Sequence, residues 1–485
     1  MAKLRFATPV LKRSSGAPAP RHEKAKLTLC CYKRVPDQNG KFMAKHQSLS
    51  PPQVLVLGFL IVILLGTALL SLPKATTTGE RQRLIDAMFT ATSALCVTGL
   101  VVHDTGDYFS LFGQIVILLL IQIGGLGYMT MATFMLLLIG RTITLRDRLI
   151  MQESLPQFSL GGVVQFTKYV LRVTLIVEVI GATILSLRWM GDYPVLKAIY
   201  LGIFHTVSAF CNAGFGLFSD SLAGYRGDIV ICLTVMLLII IGGLGYVVLS
   251  DLYYFRYRKF PQLSIHTKMV LSITLALIVS GAVALFLLEY KNPSTLAGLP
   301  SKEKIMASLF QAVTPRTAGF SVIDVGGMMQ GSLFFTIILM FIGASPGGTG
   351  GGIKTTTFGV MLATVWATLK GRRDVTLLKH RIPGELINKS FVVGFLSILL
   401  IVIMTVLIAS KESYSFIQVF FETMSAFGTV GLSTGITGGL SSLAKVLLII
   451  TMFVGRLGPL TIGVAMVREV EPLRFRYPEE RVLVG

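Results

Sequence analysis

One short segment recurs four times along this chain. Its copies are FTATSALCVTGL at 89–100, FHTVSAFCNAGF at 204–215, FQAVTPRTAGF at 310–320 and FETMSAFGTVGL at 421–432. Each copy begins with Phe, has Ser or Thr four positions later, and ends in Gly followed by an apolar residue. The four glycines, Gly99, Gly214, Gly319 and Gly431, stand roughly 110 residues apart, so the chain is predicted to consist of four related structural units.

The composition indicates that these units lie in a membrane. The 485 residues are 53% hydrophobic and only 14% charged, and the mean hydropathy is +0.73. A soluble protein of this length would need charged residues for about a quarter of its sequence. Residues 1–50 are basic and polar and show no cleavable signal peptide, so the first apolar segment is expected to insert as an anchor.

Apolar runs of about twenty residues, enough to cross a bilayer, predict eight transmembrane helices. They cover 53–72, 111–139, 163–188, 228–250, 268–290, 331–366, 391–410 and 441–467. The predicted fold is an all-α polytopic membrane protein with four repeats of transmembrane helix, re-entrant pore loop and transmembrane helix, in pseudo-fourfold arrangement around a central pore. Repeats 1 to 4 are 51–140, 160–250, 265–370 and 388–470, and the terminal tails are 1–50 and 471–485.

The distribution of basic residues predicts the orientation of the chain. Lys and Arg are dense in the two terminal tails and in loops 141–148, 256–259 and 370–389. All of these lie on one side in the eight-helix arrangement, and the positive-inside rule assigns that side to the cytoplasm. The net charge of +20 therefore reflects topology, and the scattered basic residues form no nucleic-acid-binding module.

The four repeated segments predict a cation filter. Non-helical backbone at membrane depth leaves carbonyl groups unpaired unless it is buried in protein or lines a hydrated cavity. Four such loops around one axis could direct carbonyls inward and replace the hydration shell of a cation. The alternative for each glycine is a packing position in a helix or a surface turn. The predicted ion ligands are Val97, Thr98, Gly99, Asn212, Ala213, Gly214, Thr317, Ala318, Gly319, Thr429, Val430 and Gly431.

Glycine is also frequent in the helix that follows each filter segment. The string IGGLGY occurs at 123–128 and at 241–246, and VGRLGPL occurs at 454–460. In repeat 3 this helix is interrupted by GASPGGTGGGIKTTT at 343–357. The run is close to a phosphate-binding loop, but Lys354 comes one position too late and no strand leads into it. ATP hydrolysis by this chain is therefore not expected.

These motifs resemble those of the Trk/Ktr/HKT superfamily of cation transporters, most closely its bacterial Ktr membrane subunits. The similarity is carried by QAVTPRTAGF, ETMSAFGTVGL, IQIGGLGY and GRLGPLT and extends over residues 50–485. It implies potassium uptake across the bacterial plasma (inner) membrane by a homodimer. In the family, potassium preference goes with glycine in all four filter segments, and relatives that favour sodium commonly have serine in the first. A sodium or unselective monovalent-cation transporter of this superfamily stays as the alternative.

The resemblance also implies regulators. A cytosolic ring of RCK-type (KtrA-like) nucleotide-binding subunits is expected to dock on loops 256–259 and 370–389 and on the C-terminal tail. ATP or ADP would bind that partner, and Na⁺ is a candidate activator. This chain is expected to contact membrane lipids and to bind no cofactor of its own besides the transported K⁺. No role is assigned to residues 1–50.

A gate is the second feature that the resemblance implies. In the family, the second helix of repeat 3 breaks into an intramembrane loop that obstructs the pore on the cytoplasmic side. Each glycine costs about 1 kcal/mol in a helix interior, which would keep this run irregular and movable. Lys354 and Arg456 would add positive charges, with Arg456 against the loop carbonyls. The predicted gate residues are Gly343, Pro346, Gly347, Gly348, Gly350, Gly351, Gly352, Lys354 and Arg456. The alternatives are a packing kink for the glycine run and a helix clamp for Arg456.

Two buried ionisable residues and a set of loop carboxylates have less specific roles. Glu178 in LIVEVIGA is expected to anchor a hydrogen bond or ion pair, or to take part in ion handling. Arg316 in the third filter segment is expected to turn away from the ion and brace loop carbonyls. Four carboxylates after the filter segments would attract cations to an outer mouth or cap helices; they are Asp104, Asp107, Asp220 and Asp324.

No catalytic or metal-binding pattern is present in the sequence. The five cysteines and six histidines lack metal-ligand spacing, and His205 is expected to pack in a pore helix. An integral-membrane enzyme would need a nucleophile–base pair or paired carboxylates at membrane depth. The spans offer neither, so an enzyme is only a remote alternative and the chain is predicted to be a transporter.

Overall fold

The computed structural model describes residues 51–127, 162–255, 263–372, 374–466 and 480, and these residues are mainly helical. The predicted N-terminal tail, the basic loops 141–148 and 256–259, and all of the predicted C-terminal tail except residue 480 lie outside the described residues. Within the described ranges the β-structure consists of one hairpin and isolated bridges. In the hairpin, Thr376–Leu377 pairs with His380–Arg381. The prediction of a helical protein is therefore confirmed.

The same order of helices occurs in each predicted repeat. Repeat 1 contains α1 (Pro51–Leu70), α2 (Leu84–Leu95), a short α3 (Thr105–Tyr108) and α4 (Leu111–Leu126). Repeat 2 contains α5 (Gly162–Trp189), α6 (Val195–Phe210), α7 (Ile229–Leu244) and α8 (Tyr246–Phe255). Repeat 3 contains α9 (Ile265–Glu289), α10 (Ser301–Val313), α11 (Gln330–Phe341) and α12 (Thr355–Leu369). Repeat 4 contains α13 (Gly384–Ala409), α14 (Phe416–Gly428), α15 (Ser442–Leu457) and α16 (Pro459–Met466).

The first helix of each repeat is long and apolar. Helices α1, α5, α9 and α13 are each long and apolar enough to cross a membrane, and only 22–33% of their most apolar window is buried inside the protein. Large apolar side chains therefore point outward, for example Leu64, Leu175, Leu275 and Phe395, which are 61–67% exposed. An outward apolar surface of this kind is stable against lipid chains and unfavourable in water.

The helix that follows the filter segment is sharply bent in repeats 2 and 4. Helices α7 and α8 are bent by 97° at Gly245, and α15 and α16 are bent by 93° at Gly458. Both glycines have φ near 90°, a value that only glycine adopts without strain. The predicted spans 228–250 and 441–467 each contain one of these bends, which the sequence pattern did not predict because the chain is apolar on both sides of the glycine.

The recurrent glycines of these helices allow a close approach of backbones. A Cβ at Gly124, Gly242 or Gly455 would collide with a carbonyl in the last turn of the short helix in the same repeat. Each of these glycines lies near the end of α4, α7 or α15. The IGGLGY and VGRLGPL strings thus bring the ends of two helices into contact beside each filter segment.

Candidate functional site

The four filter segments share one backbone conformation. In each, the first of the three predicted ion ligands and the glycine have positive φ, whereas the middle residue does not. The φ angles of the first residues are 57° at Val97, 59° at Asn212, 74° at Thr317 and 50° at Thr429. Those of the glycines lie between 71° and 90°. We call these segments, 97–99, 212–214, 317–319 and 429–431, the glycine loops.

The four glycine loops close into a ring. A Cβ at Gly99 would lie 3.0 Å from Cα of Gly214, and one at Gly214 would lie 2.8 Å from Cα of Gly319. A Cβ at Gly319 would lie 3.3 Å from Cα of Gly431, and one at Gly431 would lie 2.9 Å from Cα of Gly99. Each glycine thus touches the next in chain order, and the fourth returns to the first. No side chain fits between them.

Backbone oxygens line the same ring. The Cβ positions built on the four glycines also approach the oxygens of the residues that precede glycine in the next loop, namely Ala213, Ala318, Val430 and Thr98. The short helices α2, α6, α10 and α14 end next to the loops, so the partial negative charge of each C-terminus lies close to them. A ring of oxygens with four helix C-termini behind it favours a cation.

The Ser or Thr that follows the motif Phe by four positions supports the glycine loop. The N–H of Gly99 donates to Ser93 Oγ at 3.1 Å, and the N–H of Gly431 donates to Ser425 Oγ at 3.0 Å. In repeat 3, the Thr314 hydroxyl donates to the Phe320 carbonyl instead. The motif Phe itself is fully buried in all four repeats. In repeat 2, the Ser208 hydroxyl is buried without a partner among the described residues. The bond from the loop glycine to this hydroxyl is therefore found in repeats 1 and 4.

The residue directly after the motif Phe braces the chain beyond three of the loops. His205 Nε2 accepts from the Leu217 N–H at 3.3 Å. Glu422, which is buried, accepts from the Thr434 N–H at 2.9 Å and the Thr437 hydroxyl at 2.8 Å. In repeat 3, Ser321 Oγ lies 3.4 Å from Gln311 Oε1. Sequence reasoning missed Glu422, although a carboxylate in an apolar half-helix is itself a signal.

The glycine-rich loop, residues 342–354, lies between α11 and α12. It is shorter than the predicted 343–357, because α12 begins at Thr355 and takes up the last three residues. Its ends come together where the Gly343 N–H donates to the Ile353 carbonyl at 2.9 Å. The loop also bonds to the α7–α8 bend, where the Ser345 N–H donates to the Gly243 carbonyl at 3.0 Å.

The same loop contacts two of the glycine loops. The Gly351 N–H donates to Thr429 Oγ1 at 2.9 Å. A Cβ at Gly350 would collide with the Thr317 hydroxyl, and one at Gly352 would lie 3.3 Å from Cα of Gly428. Gly350 and Gly351 therefore lie directly against the glycine loops of repeats 3 and 4.

Arg456 joins the glycine-rich loop to repeat 1. Its Nη1 donates to the Thr349 carbonyl, and its Nη2 donates to the Gly124 carbonyl near the end of α4. Lys354 Nζ donates to the Gly350 carbonyl at 2.7 Å, so both predicted gate cations bind backbone oxygens of this loop.

The other predicted gate residues occupy different parts of the loop. A Cβ at Gly348 would lie 3.0 Å from the Gly243 oxygen, and one at Gly245 would lie 2.6 Å from the Pro346 oxygen. Gly347 is exposed, with φ of 73°. Pro346, Gly347 and Gly348 therefore form the side of the loop that faces the α7–α8 bend.

The remaining polar residues have varied surroundings. Gln122 Nε2 donates to Glu178 Oε2 at 3.2 Å, which identifies a partner for this intramembrane carboxyl group. Nε and Nη2 of Arg316 are buried without a partner among the described residues, so the expected bracing of loop carbonyls is not seen for these two atoms. Three of the loop carboxylates accept backbone N–H groups within turns or at a helix start: Asp104, Asp220 and Asp324. The fourth, Asp107, accepts from the Ser219 hydroxyl.

A buried ion pair connects repeat 4 with repeat 1. Lys445 Nζ on α15 lies 2.8 Å from Asp86 Oδ1 on α2, and both side chains are at most 10% exposed. His103 Nε2 lies 3.8 Å from Asp86 Oδ2. Burial lowers the pKa of His103 although Asp86 opposes this shift, so the imidazole is neutral at pH 7. Lys445 is therefore the basic side chain that Asp86 contacts at hydrogen-bond distance.

Lys445→Met is expected to destabilise the folded protein by about 3–5 kcal/mol, because it leaves a buried carboxylate without its partner. The double variant Asp86→Asn/Lys445→Met should recover much of this loss. The control is Arg226→Met, which removes the exposed pair of Arg226 and Glu303 and should cost about 1 kcal/mol or less. Thermal unfolding in detergent measures all three variants. Equal shifts for Lys445→Met and Arg226→Met would contradict the prediction.

Comparison with known proteins identifies the family. Residues 41–472 match the TrkH family, which is described as cation transport protein. The chain is 43% identical to the Ktr system potassium uptake protein B of Bacillus subtilis (strain 168), over 90% of this chain and 97% of the relative. It is 39% identical to the Ktr system potassium uptake protein B of Vibrio alginolyticus, over 90% and 95%.

A third relative and a solved structure agree with this assignment. The chain is 36% identical to the potassium/sodium uptake protein NtpJ of Enterococcus hirae, over 91% of this chain and 98% of the relative. Its fold resembles the crystal structure of the potassium transporter TrkH from Vibrio parahaemolyticus, with a TM-score of 0.66, 19% identity and coverage of 88% and 87%. The family match and these identities over nearly the whole chain show that the protein belongs to the TrkH family of cation transport proteins.

Proposed function

We propose that this chain is the ion-conducting membrane subunit of a Ktr-type potassium uptake system. The observation that carries the proposal is the closed ring of four glycine loops, whose oxygens are suited to replace the hydration shell of a cation. The Bacillus and Vibrio relatives are named potassium uptake proteins, which supports K⁺ as the transported ion. Membership of a transporter family makes the chain a transporter and not an enzyme.

The proposed membrane arrangement has eight spans in four repeats. Helices α1, α5, α9 and α13 would be the first spans, and the segments that follow each glycine loop, from α4, α7, α11 and α15 onward, would form the second. The short helices α2, α6, α10 and α14 have 12 to 16 residues, too few to cross a hydrocarbon core of about 30 Å. They would enter the membrane and return, so that the glycine loops lie at membrane depth. Both termini would be cytoplasmic in the bacterial plasma membrane.

The glycine loops would act as the selectivity filter. Their twelve residues supply backbone oxygens, and the four helix C-termini add negative potential on the ion path. Glycine at the last position permits the ring to close without side chains, which holds the oxygens at fixed spacing. The proposed driving force for uptake is the membrane potential, which contributes about 2.3 kcal/mol per elementary charge for each 100 mV.

The glycine-rich loop would be the gate. It contacts the glycine loops of repeats 3 and 4 directly, and Arg456 and Lys354 place positive charge beside it. A loop in this position would obstruct the ion path and repel cations. Its irregular backbone is held by scattered hydrogen bonds rather than by helix packing, so displacement of the loop does not require a helix to unfold.

Regulation would come from other subunits. We propose a homodimer that carries a cytosolic ring of RCK-type subunits, with ATP or ADP bound to that ring and Na⁺ as an activator. The name of the relatives, a Ktr system protein B, supports the idea of a system with more than one component. A sodium-conducting or unselective transporter is the alternative, and the potassium/sodium name of the Enterococcus relative favours it.

Potassium or rubidium uptake into liposomes that contain the purified protein tests the proposal. Wild type is expected to show potential-driven K⁺ flux, and Gly99→Ser is expected to lower the K⁺/Na⁺ selectivity ratio about tenfold, which corresponds to about 1.4 kcal/mol. The matched control is Gly79→Ser, which has a similar φ of 74° and no atom within 4 Å of an added Cβ. Absence of K⁺ flux from wild type and from a variant without residues 346–352 would contradict the proposal.

A further inference from the structure

The first residues of the four glycine loops differ in chemistry although they share one backbone conformation. They are Val97, Asn212, Thr317 and Thr429, all fully buried with positive φ. Three carry polar side chains, and only the first is apolar. Since backbone oxygens alone serve as ion ligands in the proposed filter, this difference calls for a role of the side chains.

Two of the three polar side chains, those of Thr317 and Thr429, contact the glycine-rich loop. Thr429 Oγ1 accepts from the Gly351 N–H at 2.9 Å. Thr317 Oγ1 occupies the position that a Cβ at Gly350 would take, and its hydroxyl lies 3.3 Å from the Asn212 amide group. Val97 packs instead against α4, where its Cγ2 would lie 3.0 Å from a Cβ at Gly124.

The hydrogen bond to Thr429 joins the proposed gate to the proposed filter. One end of it is the N–H of Gly351 in the glycine-rich loop, and the other is the first residue of the fourth glycine loop. Both groups are buried, so neither finds water while the loop stays in place. Displacement of the glycine-rich loop therefore breaks this bond and frees the Thr429 hydroxyl.

We propose that Thr429 is a latch that holds the glycine-rich loop in its obstructing position through the hydrogen bond to the Gly351 N–H. The inference rests on the proposed function, because it assigns a positioning role to one filter residue in the gating step. The latch is specific to repeat 4. Thr317 only contacts Gly350 sterically, and Val97 has no hydrogen-bonding group in its side chain.

The fold can tolerate removal of the hydroxyl. Valine has nearly the shape of threonine, and repeat 1 already carries Val97 with φ of 57°, close to the 50° of Thr429. Thr429→Val therefore removes the acceptor and leaves the backbone conformation accessible. Thr429→Ser keeps the acceptor. The matched control is Thr423→Val on α14, whose buried hydroxyl donates only to its own helix, to the Val419 carbonyl at 2.9 Å.

Two measurements test the latch. In proteoliposomes without other subunits, Thr429→Val is expected to raise basal Rb⁺ flux about three- to tenfold, the effect of losing one hydrogen bond on an equilibrium. Thr429→Ser should fall much closer to wild type, and Thr423→Val should leave the flux unchanged. Amide hydrogen exchange in residues 346–353 should be faster in Thr429→Val than in Thr429→Ser, a readout that does not depend on transport.

The outcomes separate the latch from the proposed function. Unchanged or lower flux in Thr429→Val, with exchange in 346–353 equal to wild type, would overturn the latch alone. A changed K⁺/Na⁺ ratio without a rise in basal flux would also overturn it, because Thr429 would then act only on selectivity. Absence of K⁺ flux from wild type and from the variant without residues 346–352 would overturn the proposed function and the latch together.

Discussion

Gly431→Ala is expected to reduce K⁺ uptake about ten- to a hundredfold, whereas Gly435→Ala is expected to keep most of the activity. Both glycines have φ of 90°, where a Cβ costs about 1–2 kcal/mol in any protein. Their surroundings differ. An alanine methyl at position 431 would fall on the Thr98 oxygen and lie 2.9 Å from Cα of Gly99, whereas no atom lies within 4 Å at position 435.

Comparing the loss of uptake in the two variants separates the effect of contacts within the ring from the effect of backbone strain. To accept a methyl group at position 431, the glycine loops of repeats 4 and 1 must separate, and a proposed ion-binding oxygen moves with them. Strain of about 1–3 kcal/mol at such a position, if it enters the barrier for conduction, corresponds to about ten- to a hundredfold in rate. The measurement is Rb⁺ influx into proteoliposomes, with thermal unfolding in detergent as a check on folding. Equal losses in both variants would assign the effect to φ strain and remove the support for a closed ring.

The repeated segments made much of this fold predictable. The motif recurs with Ser or Thr four residues after Phe and with Gly nine or ten residues after Phe. In each repeat this motif forms a short helix followed by a glycine with positive φ. The hydroxyl at the fourth offset was recognised as a constant feature, but its role became visible only as the acceptor for the Gly99 and Gly431 N–H groups. Local patterns therefore predicted the positions of these residues and not their partners.

Contacts between distant repeats could not be predicted. Lys445 and Asp86 are 359 residues apart, and no local pattern indicates that α15 packs beside α2. The Thr349 and Gly124 carbonyls that bind Arg456 are backbone atoms, which every residue possesses and no sequence signal distinguishes. The bends at Gly245 and Gly458 were missed for a related reason: glycine in an apolar helix serves for close packing as often as for a break.

Arg456→Gln is the variant expected to change gating most, with basal K⁺ flux about tenfold or more above wild type. The guanidinium of Arg456 binds the Thr349 carbonyl of the glycine-rich loop and the Gly124 carbonyl of repeat 1 at the same time. A hydrogen bond from a charged donor contributes about 1.5–3 kcal/mol. Losing one such bond therefore shifts the equilibrium between the obstructing and the displaced loop about tenfold or more toward the displaced loop. Glutamine also removes a positive charge that would repel cations from the path. Deletion of residues 346–352 should set the upper limit of the effect.

Arg456→Lys distinguishes charge from geometry. Lysine keeps the positive charge but replaces a planar fork with a compact ammonium, which is poorly shaped to hold two carbonyls on opposite sides. If the two hydrogen bonds close the gate, Arg456→Lys should have a raised basal flux, below that of Arg456→Gln. If the charge alone forms the barrier, Arg456→Lys should match wild type. Thermal unfolding completes the comparison: a lower unfolding temperature in both variants without any rise in flux would make Arg456 a helix clamp and leave the glycine-rich loop without its electrostatic partner.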